Sequence, residues 1–162
     1  MKILNIHKRV INQPKTEIVK LFETLASDND LMLATHKWSP MKLDKGLQIG
    51  SKGGHGPIKY HVIDYKPDDF IVFKFDLKGF DGIHKFTISE ISQNRTELSH
   101  TVDMITSGAA TLKWVFAIRW LHDAYIEDAL DKVENHSSTT KKRTEWSLWV
   151  RLLRTIMKPK KK

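Results

Sequence analysis

Between residues 47 and 135 the apolar pattern of this chain changes period once, between residues 106 and 109. Ahead of that point apolar residues alternate with polar ones, the signature of half-buried strands; beyond it they recur at helical spacing without interruption to residue 135. Strand-like runs at 47 to 52, 57 to 66, 70 to 77, 82 to 91 and 95 to 106 are separated by reversals such as Lys66-Pro67-Asp68-Asp69 and Ser92-Gln93-Asn94-Arg95, so consecutive strands are expected to pair as antiparallel hairpins.

Alternate side chains of a strand share a face. Ile71, Phe73, Phe75 and Leu77 therefore make one inward row, His84, Phe86 and Ile88 a second, and Leu98, His100, Val102 and Met104 a third, with polar residues such as Lys85, Thr87, Glu97 and Asp103 facing outward. Residues 3 to 12 read as a further strand. After Asn12-Gln13-Pro14, the spacing of Ile18, Leu21, Phe22 and Leu25 predicts an amphipathic helix from about Lys15 to Ala26, then a mixed connection over 27 to 45 with a short helical turn around Leu31 to Ala34.

On the long segment, Trp114, Val115, Ile118, His122, Tyr125, Ile126, Ala129 and Val133 fall on one helical face. Asp123, Glu127 and Asp131 fall on the other, where such a stripe is ordinarily solvated. One strand, one helix, a curved antiparallel meander and a long closing helix make an α+β plan in which the sheet wraps the last helix. Such a plan commonly leaves a cavity between the two.

Charge divides the chain into two regions. Residues 1 to 138 carry 18 Lys and Arg against 18 Asp and Glu, whereas 139 to 162 carry nine basic residues against Glu145 alone. The expectation is a neutral domain (1–138) followed by a cationic tail (139–162). With 162 residues, 40% hydrophobic and 28% charged, the domain is large enough to hold a core without staples. The absence of Cys removes disulfides, thiolate catalysis and Cys-based metal sites. Met1 to Pro14 lacks a signal-peptide pattern, and no window reaches the roughly 18 apolar residues of a spanning helix, so a cytoplasmic body is expected.

Several segments resemble the START-like superfamily, which includes birch-pollen-allergen-like proteins and the polyketide cyclase/dehydrase and lipid transport proteins. They are Arg9-Val10-Ile11-Asn12-Gln13-Pro14, Trp38-Ser39-Pro40, Gly53-Gly54-His55-Gly56-Pro57-Ile58-Lys59-Tyr60, Gly82-Ile83-His84-Lys85-Phe86 and His122-Asp123-Ala124-Tyr125-Ile126-Glu127-Asp128-Ala129-Leu130. The match spans roughly residues 3 to 136 and is similar to a bacterial branch of that group. The resemblance implies a helix-grip fold holding an apolar small molecule or lipid. It supplies no catalytic set, because members range from carriers to cyclases, and it implies no cofactor.

Tyr60, Phe73, Phe75, His84, Phe86, His100, Val102, Trp114, Ile118, His122 and Tyr125 are the candidate cavity walls. Three of them are histidines. If residues 88 and 98 pair across the turn, 86 faces 100 and His84 lies diagonal to His100, about 7–8 Å away, with His122 looking down from the helix. These three are candidates for acid–base work, since histidine changes charge near neutrality. The plainer role is a neutral, hydrogen-bonded wall residue. No His-x-x-x-His or His-Glu-x-x-His spacing points to a metal.

Gly53-Gly54-His55-Gly56 precedes a strand and lacks the Lys-Ser/Thr pair of a phosphate loop, so a sharp turn is the simpler reading. Gly54, His55 and Gly56 would then stand at the cavity mouth. In the tail, Trp146, Trp149, Val150, Leu153, Ile156 and Met157 share one side of a helix, with Arg151, Arg154 and Lys158 opposite. Three destinations remain open for this basic amphipathic segment. It could lie on an anionic membrane or partner surface, dock on the long helix near Phe116 and Trp120, or contact nucleic acid, the last disfavoured because no base-reading motif accompanies it.

The functional expectation is a carrier of an apolar small molecule or lipid, at a membrane surface if the tail binds one. The alternatives are a cyclase- or dehydrase-like enzyme working through inward His and Tyr residues, and an interaction module recruited by the tail.

Overall fold

The computed structural model describes residues 1–157; Lys158, placed by its sequence on the tail's basic face, lies outside them. Seven strands form one antiparallel sheet: β1 (Lys2–Ile11), β2 (Lys42–Leu43), β3 (Lys52–His55), β4 (Ile58–Lys66), β5 (Phe70–Phe75), β6 (Phe80–Ser92) and β7 (Arg95–Thr106), in the spatial order β1-β7-β6-β5-β4-β3-β2. Only the β1–β7 neighbours break the meander. Register shifts in β4 at Val62/Asp64 and in β6 at Glu90/Ser92 add local bends to the sheet.

Helix α1 (Lys15–Phe22) buries Ile18, Leu21 and Phe22. The long C-terminal helix consists of α2 (Ala109–Lys113), a wide π turn (Trp114–Ile118) and α3 (Arg119–Ser137), and the tail forms α4 (Leu148–Met157). A curved antiparallel sheet closed by a long helix is the helix-grip fold.

The inward rows follow the period-two pattern. Ile71, Phe73, His84, Phe86, Ile88, Leu98, His100, Val102 and Met104 are all buried, with Ile88 opposite Leu98 and Phe86 opposite His100. Each buried Leu, Ile or Phe contributes about 1.5–3 kcal/mol. The buried apolar residues separate into two clusters. The larger joins α1, the sheet centre and the later part of α3, around Phe22, Phe73, Leu98, Ile126 and Leu130. The smaller gathers Ile3, Phe80, Val102, Met104, Ala110 and Trp114.

Four expectations need correction. The 47–52 segment is a tight turn, with Gly46 and Gly50 in left-handed conformations (φ +69° and +83°), and the strand begins only at Lys52. Helix α1 stops at Phe22, because Ala26 turns into a left-handed conformation (φ +63°) and donates its N–H to the Asp30 carboxylate, which also accepts from Met32 and Leu33. The short helical turn lies at Ala34 to Trp38, where the N–H groups of Lys37 and Trp38 both reach the Ala34 carbonyl. Val115 is exposed, since the π turn takes extra residues per revolution and rotates it off the buried face.

The acidic stripe of α3, expected in solvent, is a fifth: Asp123 and Glu127 are half-buried and Asp131 is buried, beneath β1. The inward row of β1 is apolar at its ends, Ile3 and Ile11, and polar between, at Asn5, His7 and Arg9. Asn5 donates to Asp123, and Arg9 donates to Glu127 (2.9 Å), Asp131 (3.0 Å) and Glu134. His7 meets Glu127 at 2.7 Å and Asp123 at 3.1 Å. Burial opposes charge on His7, but these two carboxylates raise its pKa above the ordinary value.

Candidate functional site

A cavity of about 640 Å³ lies between the concave face of the sheet and the long helix, bordered by both apolar clusters. The sheet contributes Phe75, Phe80, His84, Phe86, His100, Val102 and Met104; the helix contributes Trp114, Ala117, Ile118, Leu121, His122, Tyr125 and Ile126. Trp38, Met41 and the His55-Gly56-Pro57-Ile58 loop also line it, and three cations, Lys37, Lys113 and Arg154, are among its lining residues.

Tyr60 and Phe73 stand behind this wall. Both are fully buried, 5.1 Å apart, and Tyr60 packs edge-on to His84 at 4.6 Å. Of the glycine-rich loop, His55 and Gly56 reach the lining and Gly54 does not. Gly54 sits instead where strands crowd, since a Cβ there would meet the Ile58 carbonyl oxygen at 2.0 Å. His55 is part of the wall: its Nδ1 lies 2.9 Å from the Tyr60 hydroxyl and its ring stacks on Tyr125 at 4.9 Å. Burial, helped by His122 and Lys59, lowers its pKa to about 4.

The three inward histidines converge. His84 Nδ1 and His100 Nε2 are 3.3 Å apart, and the rings of His100 and His122 are 5.0 Å apart. His84 is stacked on Phe73 and Phe75, and His100 packs edge-on to Phe86. Burial holds the pKa of all three below the usual value, so they are neutral at pH 7. His122 Nδ1 lies 3.5 Å from Asp123, whose carboxylate is held well below the ordinary range by His122, His7 and Asn5 against the opposing effect of burial. His7, His122 and Asp123 also offer three ligand atoms within 4.8 Å of one another. Both ring nitrogens of His7 already meet carboxylates, so this group is accounted for as an ion pair.

Among the described residues the tail docks on the domain, one of the destinations left open by its sequence; what sequence reasoning missed is the partners that hold it, Trp38, Lys37 and Asp128. Asp128 is buried on α3 and accepts the indole N–H of Trp38 (2.8 Å) and of Trp146 (2.9 Å), with Lys37 as its counter-ion. Arg154 lies over both indoles, which are 5.4 Å apart, with its guanidinium 4.0 Å from the Trp38 ring centroid and 4.3 Å from that of Trp146, and it donates to the Lys37 carbonyl. Arg154 and Met157 thereby line the cavity. Trp149 donates to the Phe116 carbonyl on the π turn. Val150 and Leu153 are buried, whereas Leu148, Arg151, Leu152, Ile156 and Met157 stay exposed. No helix among the described residues is long and apolar enough to cross a membrane.

No family model matches the chain, and no curated protein matches it either. Solved structures do resemble it. A conserved protein of unknown function from Enterococcus faecalis superposes with a TM-score of 0.63 at 13% identity, covering 96% of this chain and 84% of that one. Norcoclaurine synthase from Thalictrum flavum, solved in complex with dopamine and hydroxybenzaldehyde, gives 0.63 at 10% identity over 86% of this chain and 90% of that one. A protein from Nitrosospira multiformis gives 0.62 at 10% identity, covering 85% and 97%. At such identities the likeness establishes the helix-grip fold.

Proposed function

We propose that this chain is a divergent, cytoplasmic member of the START-like superfamily, related to its bacterial branch, that binds an apolar small molecule or lipid between sheet and long helix. The cavity carries this reading. Its volume suits a drug-sized molecule, and its walls are aromatic and aliphatic with a few convergent polar groups, the composition of a ligand pocket. Norcoclaurine synthase, of the same fold, has been solved with two small aromatic molecules. Mass spectrometry of organic extracts from purified protein tests the reading. A small molecule recovered in near-stoichiometric amount and unchanged on incubation supports a carrier; an empty protein that takes up no apolar probe refutes it.

Acid–base chemistry of the cyclase or dehydrase type is the second reading, favoured by His122, which has Asp123 behind its Nδ1 and lines the cavity. A bell-shaped pH dependence of turnover that disappears on replacing His122 would establish it over simple binding. The exposed apolar residues of α4, next to a cavity lining that includes Arg154 and Met157, support an anionic membrane surface as the place where ligand enters.

A further inference from the structure

Besides Nη1 of Arg154, whose guanidinium lies over two indoles, four polar atoms on residues lining the cavity have no hydrogen-bond partner in the protein: Nε2 of His84, Nδ1 of His100, Nε2 of His122 and the hydroxyl oxygen of Tyr125. They are not surface groups that water satisfies, since His84, His100 and Tyr125 are only 4%, 2% and 6% exposed. Unmet hydrogen-bonding groups in an apolar interior are destabilising and rare. Four of them around one cavity imply an occupant that meets them.

Their chemistry restricts that occupant. A neutral imidazole has one N–H and one bare nitrogen. His84 Nδ1 and His100 Nε2 are paired, so one donates to the other. Whichever donates, the two remaining nitrogens are one N–H and one lone pair. On His122, Nδ1 faces the Asp123 carboxylate, which places the proton there and leaves Nε2 as an acceptor. The Tyr125 hydroxyl can give or take.

A ketone can only accept and would leave bare nitrogens unmet. A carboxylate placed among these four likewise only accepts and would face the His122 lone pair, while the cations of the lining, Lys37, Lys113 and Arg154, are not part of this group. A hydroxyl both gives and takes. Building on the cavity reading above, we propose that His84, His100, His122 and Tyr125 form a hydroxyl-binding site, and that the ligand is an uncharged apolar ring compound carrying a phenolic, enolic or alcoholic hydroxyl on its buried end.

Three probes that differ in one group test this: 2-naphthol, naphthalene and 2-naphthoate, titrated into the full chain and followed by tryptophan fluorescence. The expected result is that 2-naphthol binds at least about tenfold more tightly than either of the others, because a site built to hydrogen-bond a hydroxyl rejects analogues lacking it. In His100→Phe and His122→Phe, which keep ring bulk, that preference should collapse to within about twofold while naphthalene affinity is unchanged, so naphthalene also reports that the variant is folded. Equal binding of naphthol and naphthalene by the natural chain overturns the hydroxyl site and leaves the apolar carrier standing. Preference for 2-naphthoate overturns it in favour of an anion site. If none of the three binds, the carrier reading fails and the hydroxyl site with it.

Discussion

Arg154, on the last helix of the described chain, stacks its guanidinium 4.0 Å from the ring centroid of Trp38, which lies in the loop that borders the cavity. The Trp146 ring lies 4.3 Å from the same guanidinium and 5.4 Å from the Trp38 ring, and Asp128 joins the two indoles through their N–H groups. A segment whose composition marks it as a cationic appendage is thus tied to the domain through one cation, two aromatic faces and one buried carboxylate.

Replacing Asp128 with Ala is expected to cost about 3 kcal/mol, the scale for removing one partner of a buried charged pair. The loss leaves two indole N–H groups and the Lys37 ammonium unmet. Arg154→Ala should cost less, about 1–2 kcal/mol, since a desolvated cation–π contact is worth roughly that amount. Urea denaturation measures both. In each variant, limited proteolysis should cut within residues 138 to 147 faster than in the parent chain, and equal cutting rates would show that this cluster does not hold the tail.

Filling the cavity should separate binding from stability. Val102 is buried and lines the space, so Val102→Phe places a ring where the ligand would lie. Uptake of naphthalene should fall by at least about tenfold, with the urea midpoint unchanged or raised because the added methylenes enter empty volume. A variant that binds normally would show that ligand uses some other surface.

The sheet was legible because one buried face imposes alternation. Pairing Ile88 with Leu98 across the reversal at Ser92 to Arg95 then gave the partners of Phe80 to Glu90, and placed His84 beside His100. The wheel was less informative for the long helix. It shows which residues share a face, but not that a π turn resets the phase at Trp114, for which these residues give no signal. It placed Asp123, Glu127 and Asp131 correctly on one side of α3 and left open what covers them. The covering row is Asn5, His7 and Arg9, alternating along β1, and this charge complement stood in the sequence as the available clue. The docking of Trp146 and Arg154 rests on Trp38 and Asp128, whose indole and carboxylate meet only after the chain folds.

Stability should fall on acidification from pH 7 to pH 5. His55, His84, His100 and His122 have lowered pKa values in the folded state, burial being the first cause in each. Below about pH 6.5 the unfolded chain takes up protons on these residues that the folded chain refuses, and each contributes a slope of up to about 1.4 kcal/mol per pH unit. His7 acts in the opposite sense. Its raised pKa gives stability that is fully present below about pH 6.5 and is lost as pH rises through its folded value. Four groups against one make the net slope positive over this range. Urea midpoints at pH 5, 6 and 7 measure it, and His100→Phe should make it shallower; a midpoint that rises on acidification would contradict neutral histidines in the wall.

The outer side of α4 is open to a decisive measurement. Leu148, Leu152 and Ile156 are 82%, 48% and 70% exposed, and Phe116 on the π turn that receives Trp149 is 61% exposed. Apolar residues at such exposure beside an excess of basic residues match an interfacial helix, whose affinity sums buried apolar area and attraction to anionic lipid. Each cation near an anionic leaflet adds about 1 kcal/mol. The full chain should float with phosphatidylserine-containing vesicles, less with phosphatidylcholine alone, and less again as salt is raised. Leu152→Glu with Ile156→Glu should abolish flotation by at least about tenfold without moving the urea midpoint, because both side chains project away from the core. If the natural chain stays with the soluble fraction in every vesicle mixture, α4 serves the cavity only as the lid contributed by Arg154 and Met157.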